Sequence, residues 1–287
     1  MILGRQAKEL GFVRDTYEKV CRLTEILKFF ENDDLLGKSL ALKGGTAINL
    51  TIFNLPRLSV DIDLDFSENV PRDDMLASGS SISGRIAKYM TANAAGMRDN
   101  IKVEINYLLR CHVLEVEQRR FESTWQPAGL FVLSVAPIEV FASKIVALLN
   151  RTAARDLYDV HNLVRFGLFD ESEEILLRKC VVYYSAIASQ SPPSSFELNS
   201  IDQVSQNRIK TDLYPVLRNR EQFNLQAAQS QVKTRLEALL TLEDNEWKFL
   251  EAFRDKNYRP DLLFDSGEIL ERIKNHPMAL WKCSQHP

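Results

Sequence analysis

The sequence predicts an α+β protein, with strands gathered in the first half of the chain and helices in the second. Three observations point there. Short segments that alternate polar with apolar residues, such as "VDIDLDF" (60–66) and "IKVEINYLL" (101–109), lie ahead of Pro137. Long runs with apolar residues every three or four positions follow it, beginning at "PIEVFASKIVALLNR". The chain has no internal repeat and no long low-complexity tract. Dividing it at Pro137 gives a sheet domain over residues 1–136 and a helical domain over 137–287.

Residues 5–30 carry Leu10, Val13, Tyr17, Val20, Leu23, Ile26 and Leu27 at helical spacing and predict one leading helix. "SLALKGG" predicts a short strand closed by a glycine turn, and "TAINLTIFNL" a helix opening at Thr46, whose hydroxyl would cap it. "VDIDLDF" is the second strand. After Pro71, "DDMLASGSSISGRIAKYMTANAAGM" predicts a helix weakened by Gly79 and Gly84. "IKVEINYLL" is the third strand, and "CHVLEVEQRRF" and "GLFVLSVA" are two more, separated by a loop near Pro127. The helical half opens with a proline in a first turn and continues through "AARDLYDVHNLVRFGLF" and "SEEILLRKCVVYYSAIA". A Ser/Pro-rich loop, "SQSPPSSFELNS" (189–200), precedes four further helical runs, from "VSQNRIKTDLYPVL" to "SGEILERIKNH".

Composition narrows the function classes. Hydrophobic residues make up 45% and charged residues 26% of 287, ordinary for a globular core. The formal net charge of -3 excludes a generally basic nucleic-acid coat. Four scattered cysteines (Cys21, Cys111, Cys180, Cys283) and four histidines make no zinc-ligand spacing, and the cysteines read as reduced thiols. "MILGRQAKELGF" has no apolar core of a signal peptide, and no apolar run approaches the length of a membrane span. The expected location is the cytoplasm.

The segment that carries chemistry is "RLSVDIDLDF" (57–66). Asp61, Asp63 and Asp65 alternate with Ile62, Leu64 and Phe66, so on a strand the three carboxylates share one face. Alone, this describes an edge strand with a solvated acidic face. The context says more: Gly44-Gly45 closes a strand 16 residues before Asp61. Adjacent glycines let backbone amides approach phosphate oxygens. Asp61 and Asp63 are then placed to share Mg²⁺ (or Mn²⁺), a hard cation that fills its octahedron with phosphate and water. Asp65 lies about 13–14 Å along the strand from Asp61, too far for the same ion, and is expected to tolerate change to Asn.

Lys144 sits among apolar residues in "PIEVFASKIVALL". A cation there needs an anion, which a triphosphate, Asp156 or Asp159 would supply. Lys144, Leu148, Arg151 and Arg155 step by three and four along one helix, and Arg155 with Asp159 has the spacing of an ion pair. Glu104, on the third strand with Lys102 and Asn106, is the candidate third carboxylate; the alternative is an exposed strand glutamate.

These residues resemble the nucleotidyltransferases of the DNA polymerase β-like fold, most closely the AbiEii/MenT branch. That branch comprises toxins of type IV toxin–antitoxin and abortive-infection (phage-defence) systems. The resemblance rests on Lys43-Gly44-Gly45-Thr46, on Arg57-Leu58-Ser59-Val60-Asp61-Ile62-Asp63, and on Lys144 with Arg155-Asp156-Leu157-Tyr158-Asp159, spanning residues 40–165. The superfamily usually has Gly-Ser where this chain has Gly45-Thr46, and the AbiEii-like branch tolerates Gly-Gly-Thr.

The resemblance implies a polymerase β-like core, a mixed or antiparallel sheet flanked by helices, followed by a helical half that contributes Lys144 and the RDxxD segment. It implies Asp61, Asp63, Lys144 and Asp156 as catalytic residues. Lys43, Gly44, Gly45, Thr46, Arg57, Ser59, Lys144 and Asp159 would bind nucleotide, and Asp61, Asp63 and Glu104 would serve the metal. The reaction implied is Mg²⁺-dependent transfer of a nucleoside monophosphate from a triphosphate to RNA, with the tRNA 3′ end as leading acceptor. A cognate antitoxin from a neighbouring gene is the implied partner. Two alternatives stand beside it: nucleotidylation of a protein hydroxyl, and a non-catalytic nucleotide-binding or interaction module. On the helical half, Arg208, Lys210, Arg218, Arg220, Lys233 and Arg235 form the row that would track an RNA backbone, or else a solvated face.

Overall fold

A computed structural model describes residues 2–92, 100–121, 129–188, 191–265 and 267–284. Five strands form one sheet in the order β3-β2-β1-β5-β4. They are β1 (Leu40–Leu42), β2 (Ile62–Phe66), β3 (Val103–Asn106), β4 (Glu117–Arg120) and β5 (Phe131–Ser134). β1 is antiparallel to β2 and parallel to β5; β2 is parallel to β3, and β4 is antiparallel to β5. The sheet is therefore mixed, one of the two arrangements the resemblance implied. The loop expected near Pro127 lies outside the described residues.

Alternation in β2 sets the layers. Ile62, Leu64 and Phe66 are buried on the core face, while Asp61 and Asp63 stay half-buried on the other. Asp61 itself precedes the strand, which begins at Ile62.

Three helical expectations are corrected. The leading helix divides into α1 (Ile2–Leu10) and α2 (Arg14–Glu31). Gly11 takes φ +80, and the Gly11 and Phe12 amides bond back to Lys8 and Ala7 carbonyls, the hydrogen-bond pattern that stops a helix. After α3 (Leu36–Ser39), the helix expected at Thr46 begins two residues earlier as α4 (Gly44–Ala47) and widens into a π-helical stretch, Ile48–Ile52. Thr46 does not cap it: its hydroxyl donates to the Asp61 carbonyl at 2.5 Å.

The remaining helices are α5 (Arg72–Ala92), α6 (Pro137–Asn150), α7 (Ala154–Phe166), α8 (Glu171–Ala188), α9 (Asn199–Asp202), α10 (Gln206–Arg208), α11 (Leu225–Leu239), α12 (Asp244–Arg254), α13 (Glu268–Ile273) and α14 (Pro277–Ser284). "VSQNRIKTDLYPVL" is not one helix but α10 followed by short π and 3₁₀ turns, which end at Pro215 and Val216. α6 is apolar almost all round, and it packs against α7 and α8 as a central core helix. It is this burial that brings Lys144 into the interior. Among the described residues no helix is long and apolar enough to cross a membrane.

Candidate active site

The site forms where β1 gives way to the glycine turn beside β2. The Lys43 amide donates to the Asp63 carbonyl at 2.9 Å, extending the β1–β2 pairing by one residue. Gly44 then turns with φ +66, a conformation costly for any residue with a side chain. A Cβ there would stand 2.7 Å from Asp63 Oδ2, so the glycine also makes room for the carboxylate. A Cβ on Gly45 would stand 2.6 Å from Arg57 Nη2 and 3.0 Å from Ser59 Oγ. Both glycines are thus required by what approaches them. Thr46, through the Asp61 carbonyl, ties the turn to the carboxylate segment.

The carboxylates are crowded. Burial raises the Asp63 carboxyl above its usual range, Asp61 and Glu104 push it further, and Lys43 and Lys144 pull against them. Glu104 stands in register beside Asp63 across the β2–β3 pair, but its exposed side chain is paired with Lys102 at 2.8 Å. Asp65 is buried and holds the Lys43 ammonium in an ion pair. Burial raises its carboxyl, and Lys43 and His112 oppose the rise.

The helical half supplies a line of alternating charges. Lys144 on α6, only 9% exposed, donates to Asp156 Oδ1 at 2.8 Å and lies 3.3 Å from Asp159 Oδ2. Arg151 closes on the other Asp156 oxygen at 2.7 Å. Arg57 donates to both Asp159 oxygens, at 2.7 and 2.6 Å, and to the Leu58 carbonyl at 2.9 Å. The order is Arg57–Asp159–Lys144–Asp156–Arg151. Burial pushes the Asp156 carboxyl up, but Lys144 and Arg151 together outweigh it and leave it below its ordinary range.

Several expectations change here. Arg57 and Asp159, expected at the nucleotide, are 2% and 0% exposed and pair with each other, with Arg57 lying against Gly45 of the turn. Arg155 does not pair with Asp159; its Nε donates to the Asp212 carbonyl at 2.8 Å. The basic row is largely engaged within the chain. Arg208 pairs with Asp212, Lys233 with Asp202 and Arg235 with Glu174, while Arg218 bonds the Leu10 and Leu55 carbonyls. Sequence reasoning missed Asp65 as the partner of Lys43. The register Ala41↔Asp65, which only the fold supplies, puts Lys43 and Asp65 on one face of neighbouring strands.

The model of the nucleotidyl transferase AbiEii toxin family, type IV toxin–antitoxin system, matches residues 28–255. Among solved structures, MenT4, a nucleotidyltransferase toxin from Mycobacterium tuberculosis H37Rv, superposes with a TM-score of 0.62 at 17% identity, covering 87% of this chain and 92% of its own. That likeness concerns the fold. A search of curated proteins found no match. With the family match covering most of the chain and including every residue of the site, the protein belongs to the AbiEii nucleotidyltransferase toxins of type IV toxin–antitoxin systems.

Proposed function

We propose that this toxin transfers a nucleoside monophosphate from a nucleoside triphosphate to RNA, with a tRNA 3′ end as the acceptor and a divalent cation as cofactor. The observation that supports it most is the contact between the glycine turn and the carboxylate pair, with Gly44 packed directly on Asp63. A turn that can offer backbone amides to phosphate and carboxylates that can hold a metal thus meet at one point.

The donor set suits a hard cation. Asp61, Asp63 and Glu104 offer oxygen alone, and a cation would offset the burial, and after it the neighbouring carboxylates, that raise the Asp63 carboxyl. Among the described residues no three acidic, His or Cys side chains converge on one point. Asp61 and Asp63 would therefore hold Mg²⁺, or Mn²⁺, with phosphate and water completing its shell. A bound ion supplies charge stabilisation for the attacking and leaving oxygens of an in-line displacement. The chain's own residues do the rest. Gly44 and Gly45 place backbone amides toward phosphate, Lys43 and Lys144 offset the triphosphate charge, and Asp65 and Asp156 hold those two ammonium groups in place. Membership of a type IV system makes a cognate antitoxin the natural partner.

The test is incubation with each α-labelled nucleoside triphosphate in turn, together with total RNA and total protein. Label in RNA agrees with the proposal. Label in protein assigns a protein hydroxyl as acceptor, and label in neither leaves a nucleotide-binding module.

A further inference from the structure

Glu139, in the first turn of α6, is wholly buried. It accepts from the Val113 and Leu114 amides at 2.9 and 2.7 Å and from the Tyr184 hydroxyl, all neutral donors. Among the described residues its one ion pair is with His112, whose Nδ1 stands 3.7 Å from Oε1 and which is itself buried. A carboxylate taken out of water needs a cation, and an imidazolium at His112 supplies it. These contacts pin residues 112–114, in the loop that follows β3, onto α6.

The same loop leaves β3 at Asn106, whose register partner on β2 is Asp65. Asp65 is buried too, and it is the second acid that acts on the His112 ring. Burial lowers the His112 pKa, but Glu139 and then Asp65 outweigh it and leave the ring above its ordinary 6.5. Lys43 and His112 in turn oppose the rise that burial imposes on Asp65. His112 Nε2 is buried and bonds no neighbour, so the ring acts on Asp65 through its field and not through a shared hydrogen bond. The other titratable groups around the pair are uncharged at neutral pH: burial lowers His276 to about 4, lifts Cys111 to about 11, and raises Tyr184 and Cys180. What remains is the line Lys43–Asp65–His112–Glu139, two cations alternating with two carboxylates.

We propose that His112 is a positioning residue for nucleotide binding: it gives Asp65 a second cation from the core side, so that the Lys43 ammonium keeps its charge for phosphate. With His112 neutral, Asp65 has Lys43 as its counterion and cancels it, while Glu139 adds a negative field behind them. In a buried, low-dielectric setting that change reaches the triphosphate. His112 itself touches no substrate and acts through Asp65 and Lys43. The inference rests on the reading of Lys43 as a residue that meets the triphosphate.

Nitrogen-15 NMR of the imidazoles in the metal-free full chain reads the coupling without any substrate. His112 should titrate above the ordinary 6.5, and Asp65→Asn and Glu139→Gln should each lower its midpoint. A midpoint at or below 6.5, or one that Asp65→Asn leaves in place, overturns the proposal. Calorimetric titration with ATP, GTP, CTP and UTP in turn, each with Mg²⁺, reads the consequence. For the tightest of the four, His112→Gln should weaken binding at least threefold in the parent but less than twofold in an Asp65→Asn background, where the path through Asp65 is already cut. Should His112→Gln fail to fold, the parent is titrated across pH instead: its affinity should fall as His112 loses its proton, and that fall should be absent in Asp65→Asn. Equal weakening by His112→Gln in both backgrounds, no weakening in either, or a parent affinity indifferent to the His112 proton overturns the proposal. Unaltered affinity in Asp65→Asn alone, with the midpoint shift present, overturns the triphosphate role of Lys43 and the nucleotide half of the proposal with it; so does a parent that binds none of the four.

Discussion

Replacing Arg57 by Met probes the deepest element of the site. The guanidinium is 2% exposed, and its two bonds to Asp159, at 2.7 and 2.6 Å, are the main neutralisation of a carboxylate that is wholly buried. Met fills similar space without charge. Removing one member of a buried ion pair typically costs about 3–5 kcal/mol, because the other charge is left without its partner. Lys144, 3.3 Å from Asp159, supplies partial compensation, which places the expected loss near the lower end, about 3 kcal/mol. At about 2–4 °C per kcal/mol for chains of this order of size, the melting temperature should fall by about 6–12 °C. Thermal unfolding followed by circular dichroism at neutral pH reads this directly. Adding Asp159→Leu to Arg57→Met should recover part of the loss, since no buried charge is then stranded. A melting temperature within about 2 °C of the parent for Arg57→Met would refute the structural role of this pair and return Arg57 to nucleotide binding.

Lys144→Ala should cost less stability than Arg57→Met, because Asp156 keeps Arg151 and Asp159 keeps Arg57, yet it should depress transfer strongly; the paired melts and transfer rates check both. Asp65→Asn is no longer expected to be tolerated as its spacing suggested. With the Lys43 ammonium released, KM for the triphosphate should rise about tenfold (about 1.4 kcal/mol) with kcat changed less, as steady-state kinetics would show. His276 is fully buried, and burial lowers its pKa from the ordinary 6.5 to about 4. Below pH 6.5 the unfolded chain therefore takes up a proton that the folded chain refuses. Stability falls by roughly 3 kcal/mol between pH 6.5 and 4, and urea titrations across that range should show this slope in the parent and not in His276→Gln.

The parts of the site carried by local pattern were legible in the sequence. Period-two alternation placed Ile62, Leu64 and Phe66 in the core and left Asp61 and Asp63 on the opposite side of β2. The apolar surroundings of Lys144 required an anion, and Asp156 and Asp159 were among those named. What stayed hidden was the choice of partner across distance. Arg57 and Asp159 are 102 residues apart, and no spacing rule joins them. Helical spacing favoured Arg155 for Asp159, and both lie on α7 (Ala154–Phe166), yet Arg155 turns to the Asp212 carbonyl. Arg151, in extended conformation just before α7, folds its side chain onto Asp156. The basic row read as a surface stripe because the partners of Lys233 and Arg235, Asp202 and Glu174, come from distant elements, whereas Arg208 and Asp212 do carry i, i+4 spacing. The break at Gly11 was signalled by a glycine inside an otherwise regular helical pattern, whereas the widening at Ile48–Ile52 has no local signal that we can identify.

The claim that the glycine turn and the Asp61–Asp63 pair perform nucleotidyl transfer to RNA is tested most directly by one comparison. Parent and Asp63→Ala proteins are incubated with α-labelled triphosphate, Mg²⁺ and total tRNA, in parallel with tRNA whose terminal diol has been destroyed by periodate. The account predicts label on intact tRNA with the parent protein only, and none on the oxidised tRNA. Equal labelling by Asp63→Ala, or labelling that survives periodate, would contradict it.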